Sequence, residues 1–123
     1  MNGPTVVLAE DEEIILESLK MLLEGKGYRV LSAPDGQAAL DMTFRERPAA
    51  LVLDLGIPKV SGVEVCQKIK AASETKGVKI LVATGMGRQE SVQEALAAGA
   101  DGYLLKPFSG AKLLEALEKI LGR

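Results

Sequence analysis

The chain has 123 residues, enough for one domain with its own core, and its composition, 47% hydrophobic and 26% charged, is that of a globular protein. Fifteen basic residues against seventeen acidic ones give a formal charge of −2 and argue against direct nucleic-acid binding, which needs clustered Lys and Arg. There is no histidine and one cysteine, Cys66, which excludes Ser–His–Asp and Cys–His catalysis, an intrachain disulfide and a zinc site built from the usual ligands.

Residues 5–9, TVVLA, read as a short apolar strand ending in Glu10 and Asp11. Ile15, Leu19, Leu22 and Leu23 then recur on one helical face, and the GKG at 25–27 stops that helix. A strand is predicted over 28–33, YRVLSA, and a helix over 35–47 that Pro48 ends. AALVLD, 49–54, is the third strand; it closes on a charged residue, Asp54, before the chain turns through Gly56 and Pro58. A loop carrying Pro58 and Gly62 leads into a helix at about 63–73, and VKILVAT, 78–84, forms the fourth strand. After a glycine-bearing turn come a helix at about 89–98, a fifth strand at 102–106, GYLLK, and a last helix at 109–121. No apolar run approaches the roughly 20 residues of a membrane span. The start, MNGPTVV, lacks the basic and long apolar regions of a signal peptide, so the expected location is the cytoplasm and no membrane partner is expected.

Five strands alternating with five amphipathic helices predict an α/β fold, a (βα)5 doubly wound parallel sheet covered by helices on both faces. Residues 1–123 read as a single domain, without linker or low-complexity tract. In such sheets functional groups gather beyond the carboxyl ends of the strands. Strand 1 ends there in Glu10 and Asp11, strand 3 in Asp54, strand 4 in Thr84 followed by Gly85, and strand 5 in Lys106 followed by Pro107.

Singly, each has an ordinary reading: an acid after a strand is usually a turn former or helix cap, a threonine a turn residue, a lysine a solvated edge charge. Together they place three acids, a hydroxyl and a cation on one rim. Three carboxylates in one crevice repel unless one protonates or a cation neutralises them. With no histidine, a hard divalent ion held by oxygen suits them, and Mg²⁺ fits because it keeps positions for water or phosphate oxygens. Metal, lysine and hydroxyl form a clamp for a phosphoryl group, and Asp54 is the best nucleophile, since a carboxylate can become an aspartyl phosphate.

The AED after strand 1, LVLDLGIPKVSG around strand 3, LVATG at strand 4 and ADGYLLKPF at strand 5 resemble the receiver domain of two-component response regulators, over essentially the whole chain. The resemblance implies the flavodoxin-like strand order 2-1-3-4-5. It implies that Asp54 is the phosphoacceptor, that Asp11, Asp54 and the Gly56 carbonyl ligate Mg²⁺, and that Glu10 acts through metal-bound water. Thr84, Lys106 and Gly85 would bind the phosphoryl group, and the Lys106–Pro107 peptide would be cis. Thr84 and Tyr103 would be the switch pair, changing the surface of helix 4, strand 5 and helix 5. The implied partner is a sensor histidine kinase or histidine phosphotransfer protein. A homodimer through helix 4, strand 5 and helix 5, with Gln93, Leu96, Leu113 and Leu117, competes with assigning those apolar residues to the core.

Gly56 and Met86 stand where relatives often carry polar groups that orient the attacking water. A long-lived aspartyl phosphate is therefore expected, although open access beside Gly56 acts the other way. Gly85 and Gly87 lack the lysine of a phosphate-binding loop and read as freedom for Thr84 to move. Cys66 reads as a small core residue and Phe108 as packing for the last helix. Three other functions compete. A Mg²⁺-dependent phosphohydrolase would want a second acid two residues after the nucleophile, where Gly56 stands. A flavin or nucleotide binder would want more aromatics than two Phe and two Tyr. A degenerate receiver that only binds partners would not need the intact set of acids, Thr84 and Lys106.

Overall fold

The computed structural model describes residues 3–85 and 89–123. The elements run β1 (Thr5–Ala9), α1 (Glu13–Gly25), β2 (Arg29–Ala33), α2 (Gly36–Glu46), β3 (Ala50–Asp54), α3 (Gly62–Ala71), β4 (Lys79–Thr84), α4 (Gln89–Ala97), β5 (Gly102–Leu105) and α5 (Gly110–Leu121). The five strands are all parallel, in the order β2-β1-β3-β4-β5. The expected α/β architecture and strand order are both present. Boundaries differ by one or two residues: α3 runs 62–71 instead of 63–73, and β5 stops at Leu105 rather than Lys106.

Period-2 alternation builds the two halves of the core. Val7, Ala9, Leu51, Leu53, Ile80 and Val82 point to the side covered by α2, α3 and α4. Val6, Leu8, Ala50, Val52 and Leu81 point to the other side, where Leu23 of α1 and Leu113 and Leu117 of α5 close over them. Every one of these residues is buried, and each fully buried Val or Leu contributes about 1.5–3 kcal/mol. Because both faces are covered, the central strands read as continuous apolar runs rather than alternating ones.

Side chains on the loops start three of the helices. Asp35 accepts from the Ala38 N–H at 2.8 Å, Ser61 from the Glu64 N–H at 3.2 Å, and Ser109 from the Lys112 N–H at 3.1 Å. The α2 helix ends on Arg47 at φ 46, just before Pro48, and α5 ends on Gly122 at φ 74. Among the described residues no helix is long and apolar enough to cross a membrane.

Candidate functional site

Strand order decides what meets what. β1 lies between β2 and β3, so the connections leaving β1 and β3 part in opposite directions and open a crevice at their carboxyl ends. Ala9 pairs with Leu53, which sets Glu10 and Asp11 beside Asp54. Carboxylate oxygens of Glu10, Asp11 and Asp54 all lie within 4.8 Å of one another. Exposure is graded across the three: Glu10 is 3% exposed, Asp54 is 9%, and Asp11 is open to solvent.

Lys106 enters the cluster from β5, on the far side of β4. Its N–H donates to the Thr84 carbonyl at 2.8 Å, which fixes its backbone. Its Nζ donates to Asp54 Oδ2 and to Glu10 Oε1, both at 3.0 Å. The Lys106–Pro107 peptide is cis, as expected. The second oxygens of Asp54 and Glu10 are also engaged: Asp54 Oδ1 accepts from the Gly56 N–H at 3.0 Å, and Glu10 Oε2 accepts from the Glu12 N–H at 3.1 Å. Glu12 caps α1 without a side-chain hydrogen bond of its own, so Glu10 serves the start of that helix.

The electrostatics follow from this packing. Burial pushes the Glu10 carboxyl above its ordinary value; the Glu12 N–H and the Lys106 ammonium pull it down, and the Asp54 charge adds to the rise. Burial alone would lower the Lys106 ammonium, but its hydrogen bonds to Asp54 and Glu10 outweigh that and hold it above the ordinary lysine value. One ammonium faces three carboxylates, which leaves an excess of negative charge made entirely of hard oxygen donors. That donor set fits a divalent cation such as Mg²⁺.

Thr84 ends β4 on the same rim. It is 1% exposed, and its Oγ1 has no hydrogen-bond partner among the described residues. A buried hydroxyl left unpaired is costly, and a hydrogen-bond acceptor brought to this rim would satisfy it. Gly85 follows it, half buried. Met86 and Gly87, singled out in the sequence, lie outside the described residues.

Tyr103 does not join the cluster. It is 51% exposed on β5, on the same side as Leu105, which is 41% exposed. Leu113 and Leu117, candidates for a docking face, are fully buried against the sheet. Of the two competing readings of Leu113 and Leu117, the core one holds: the i, i+4 pair is the inward stripe of α5. Gln93 is exposed and Leu96 half buried. Cys66 is buried, and burial pushes its thiol up to about 12, as a core role requires. Phe108 packs against the core shared by α1 and α5. Nothing in the sequence marks the Glu10–Lys106 contact, because 96 residues separate the partners and only the sheet order joins them.

A family model, the response regulator receiver domain, matches residues 6–118. Response regulator MprA of Mycobacterium leprae (strain TN) is 38% identical over 121 residues, covering 96% of this chain and 51% of that protein. The chain thus spans about half the length of the curated relatives it matches. A putative response regulator from Chloroflexus aurantiacus J-10-fl superposes with a TM-score of 0.92 at 31% identity, over 99% of this chain and 100% of that one. The receiver domain of the sensor histidine kinase PA1611 from Pseudomonas aeruginosa PAO1, solved with magnesium in its active site cleft, gives 0.89 at 30% identity over 98% and 99%. A match running from β1 into α5, with neighbours alike in both sequence and fold, places the chain in the response regulator receiver domain family of two-component signalling.

Proposed function

We propose that residues 1–123 act as one phosphorylation-controlled switch in the cytoplasm, with Asp54 accepting a phosphoryl group from a histidine on a partner protein. The 123 residues hold no histidine, so the donor lies outside them. A sensor histidine kinase or a histidine phosphotransfer protein fits. The observation that carries the reading is the pairing of Lys106 with Asp54 at 3.0 Å beside a Thr84 hydroxyl that has no partner among the described residues.

The step is a displacement at phosphorus. Asp54 Oδ2 forms the O–P bond, the N–P bond of the phosphohistidine breaks, and the imidazole leaves with its electron pair. Lys106 moves from the carboxylate to a phosphoryl oxygen, and the Thr84 hydroxyl donates to another. The Gly56 N–H keeps Asp54 Oδ1 in place. Asp11, Asp54 and the Gly56 carbonyl would hold Mg²⁺ directly, and Glu10 through water; bound Mg²⁺ would neutralise charge gathering on the phosphoryl oxygens. The magnesium in the cleft of the similar PA1611 domain supports that assignment.

The signal leaves through β5. Thr84 drawn toward the phosphoryl group opens space beside Tyr103, whose ring turns inward. Taking an inactive state favoured about 10:1 to about 1:10 needs about 2.8 kcal/mol, within reach of a few charge-assisted hydrogen bonds. The surface that changes is Tyr103, Leu105 and the exposed side of α4 at Gln93, which is also the candidate dimer face once Leu113 and Leu117 are assigned to the core.

Incubation with acetyl phosphate and Mg²⁺, read by intact mass, tests the reading. Wild type gains one phosphoryl group, Asp54→Asn gains none, and chelation of Mg²⁺ abolishes the gain. Modification of Asp54→Asn to the wild-type extent overturns it.

A further inference from the structure

The loop that follows the acceptor strand, residues 55–61, is held by a different part of the chain. The Gly36 N–H, at the start of α2, donates to the Pro58 carbonyl at 2.9 Å. A Cβ added to Gly36 would overlap the Val60 carbonyl oxygen and sit 2.8 Å from its carbon. Gly36 is buried and takes no positive φ, so what it supplies is room for two backbones to touch. Next to it, Asp35 Oδ2 lies 3.4 Å from Lys59 Nζ, and Lys59 adopts φ 74. That ion pair is long and exposed on its lysine side, hence weak, which leaves the backbone contact at Gly36 as the stronger fastening.

The segment between this fastening and the acid is stiff. Pro58 restricts Ile57 to extended geometry. The Ile57 side chain is buried, and its N–H donates to the Asp54 carbonyl at 3.2 Å. Gly56, one residue earlier, donates to Asp54 Oδ1. A shift of the backbone at 58–60 therefore passes to Gly56 rather than dissipating in a mobile loop.

We propose that Gly36 is a positioning residue for phosphoryl acceptance: its close packing on Val60 and its hydrogen bond to Pro58 set where Gly56 stands beside Asp54. This rests on Asp54 being the acceptor. A misplacement of about 1 Å at a reacting centre costs about 10²-fold in rate, so the effect is large although Gly36 itself is not among the reacting groups.

The test compares Gly36→Ala with wild type and with Ile69→Ala, a cavity variant at the other end of α3. Three quantities are read: the initial rate of modification by acetyl phosphate with Mg²⁺, amide exchange of residues 55–61 without metal, and the unfolding transition. Gly36→Ala is expected to unfold cooperatively, to exchange faster over 55–61, and to accept phosphoryl at least about tenfold more slowly. Ile69→Ala is expected to lose stability yet keep the wild-type rate and the wild-type exchange over 55–61. A folded Gly36→Ala that works at the wild-type rate overturns the proposal, as does an equal rate loss in Ile69→Ala. Should Gly36→Ala fail to fold, Lys59→Gly, at ease at φ 74 but without the ion pair, takes its place; faster exchange over 55–61 with an unchanged rate then overturns it. A wild-type chain that accepts no phosphoryl group shows instead that the acceptor reading itself has failed, before any variant is compared.

Discussion

Lys106 Nζ sits 3.0 Å from Asp54 Oδ2 although 52 residues separate the two in the chain. The same ammonium lies 3.0 Å from Glu10 Oε1, so a single cation from β5 serves acids from β3 and β1. It is the only Lys or Arg to pair with this acid cluster among the described residues.

Replacing Lys106 by Met leaves Glu10 and Asp54 facing each other without a counter-charge. Loss of the charged hydrogen bonds is expected to cost about 1.5–3 kcal/mol in chelator, measured by denaturant unfolding. Mg²⁺ at about 100 times its dissociation constant should add about 2.7 kcal/mol to wild type, and the variant should bind it more tightly. A variant as stable as wild type in chelator, with no extra gain from Mg²⁺, contradicts this account of the cluster.

Thr84→Val separates resting stability from function. The substitution removes a buried hydroxyl that has no partner among the described residues and keeps the shape. The unmodified protein should become about 1 kcal/mol more stable, while accumulation of the phosphoryl form falls. Thermal melts and intact mass on the same samples give both numbers. Destabilisation of the resting form would mean that the hydroxyl is satisfied in solution.

Asp35 gives the acid limb of the stability curve a defined contribution. Its carboxyl is held below the ordinary value of 3.8, first by the Ala38 N–H and further by Lys59. A lowered folded-state value means stability that is present above pH 3.8 and lost as pH falls through the folded value. Asp35→Asn keeps the helix cap but cannot titrate. Its stability should therefore fall less than that of wild type on acidification below pH 3.8, and identical acid limbs would refute the assignment.

Cys66 should be inert in the folded protein. It is fully buried, and its thiol is pushed up to about 12. Reaction with a disulfide reagent is expected to be negligible under native conditions and rapid in denaturant. Prompt native labelling would show that α3 opens far more readily than its packing indicates.

Leu117→Ala tests the core role of the inward stripe of α5. A cavity variant at a fully buried leucine should lose about 2–5 kcal/mol by denaturant unfolding, whether or not the protein self-associates. A loss of dimer with stability intact would return Leu117 to the surface.

Much of the site was legible because strand chemistry is local. An apolar run such as Leu51, Val52 and Leu53 closing on Asp54 marks a buried strand delivering a polar group to its end, and the same holds for Ala9 before the charged Glu10 and Ala83 before the neutral Thr84. Helix faces were less legible. Leu113 and Leu117 show a stripe, but a stripe alone does not say whether sheet or partner covers it. Gly36 carried no signal beyond a glycine near a helix start, since its role depends on Val60, 24 positions away.

By itself the sequence determined the alternation of strands and helices, the end of the sheet at which the acids and Lys106 gather, and the residue types available there. All of these follow from periodicity and from charges placed against apolar runs. Only the tertiary structure decided that Lys106 is shared by Asp54 and Glu10, that the Thr84 hydroxyl is buried without a partner among the described residues, and that Gly36 packs on the loop after Asp54. The reason is geometric. Hydrogen bonding and close packing act over about 3–4 Å, and only the order of strands in the sheet brings residues tens of positions apart within that range.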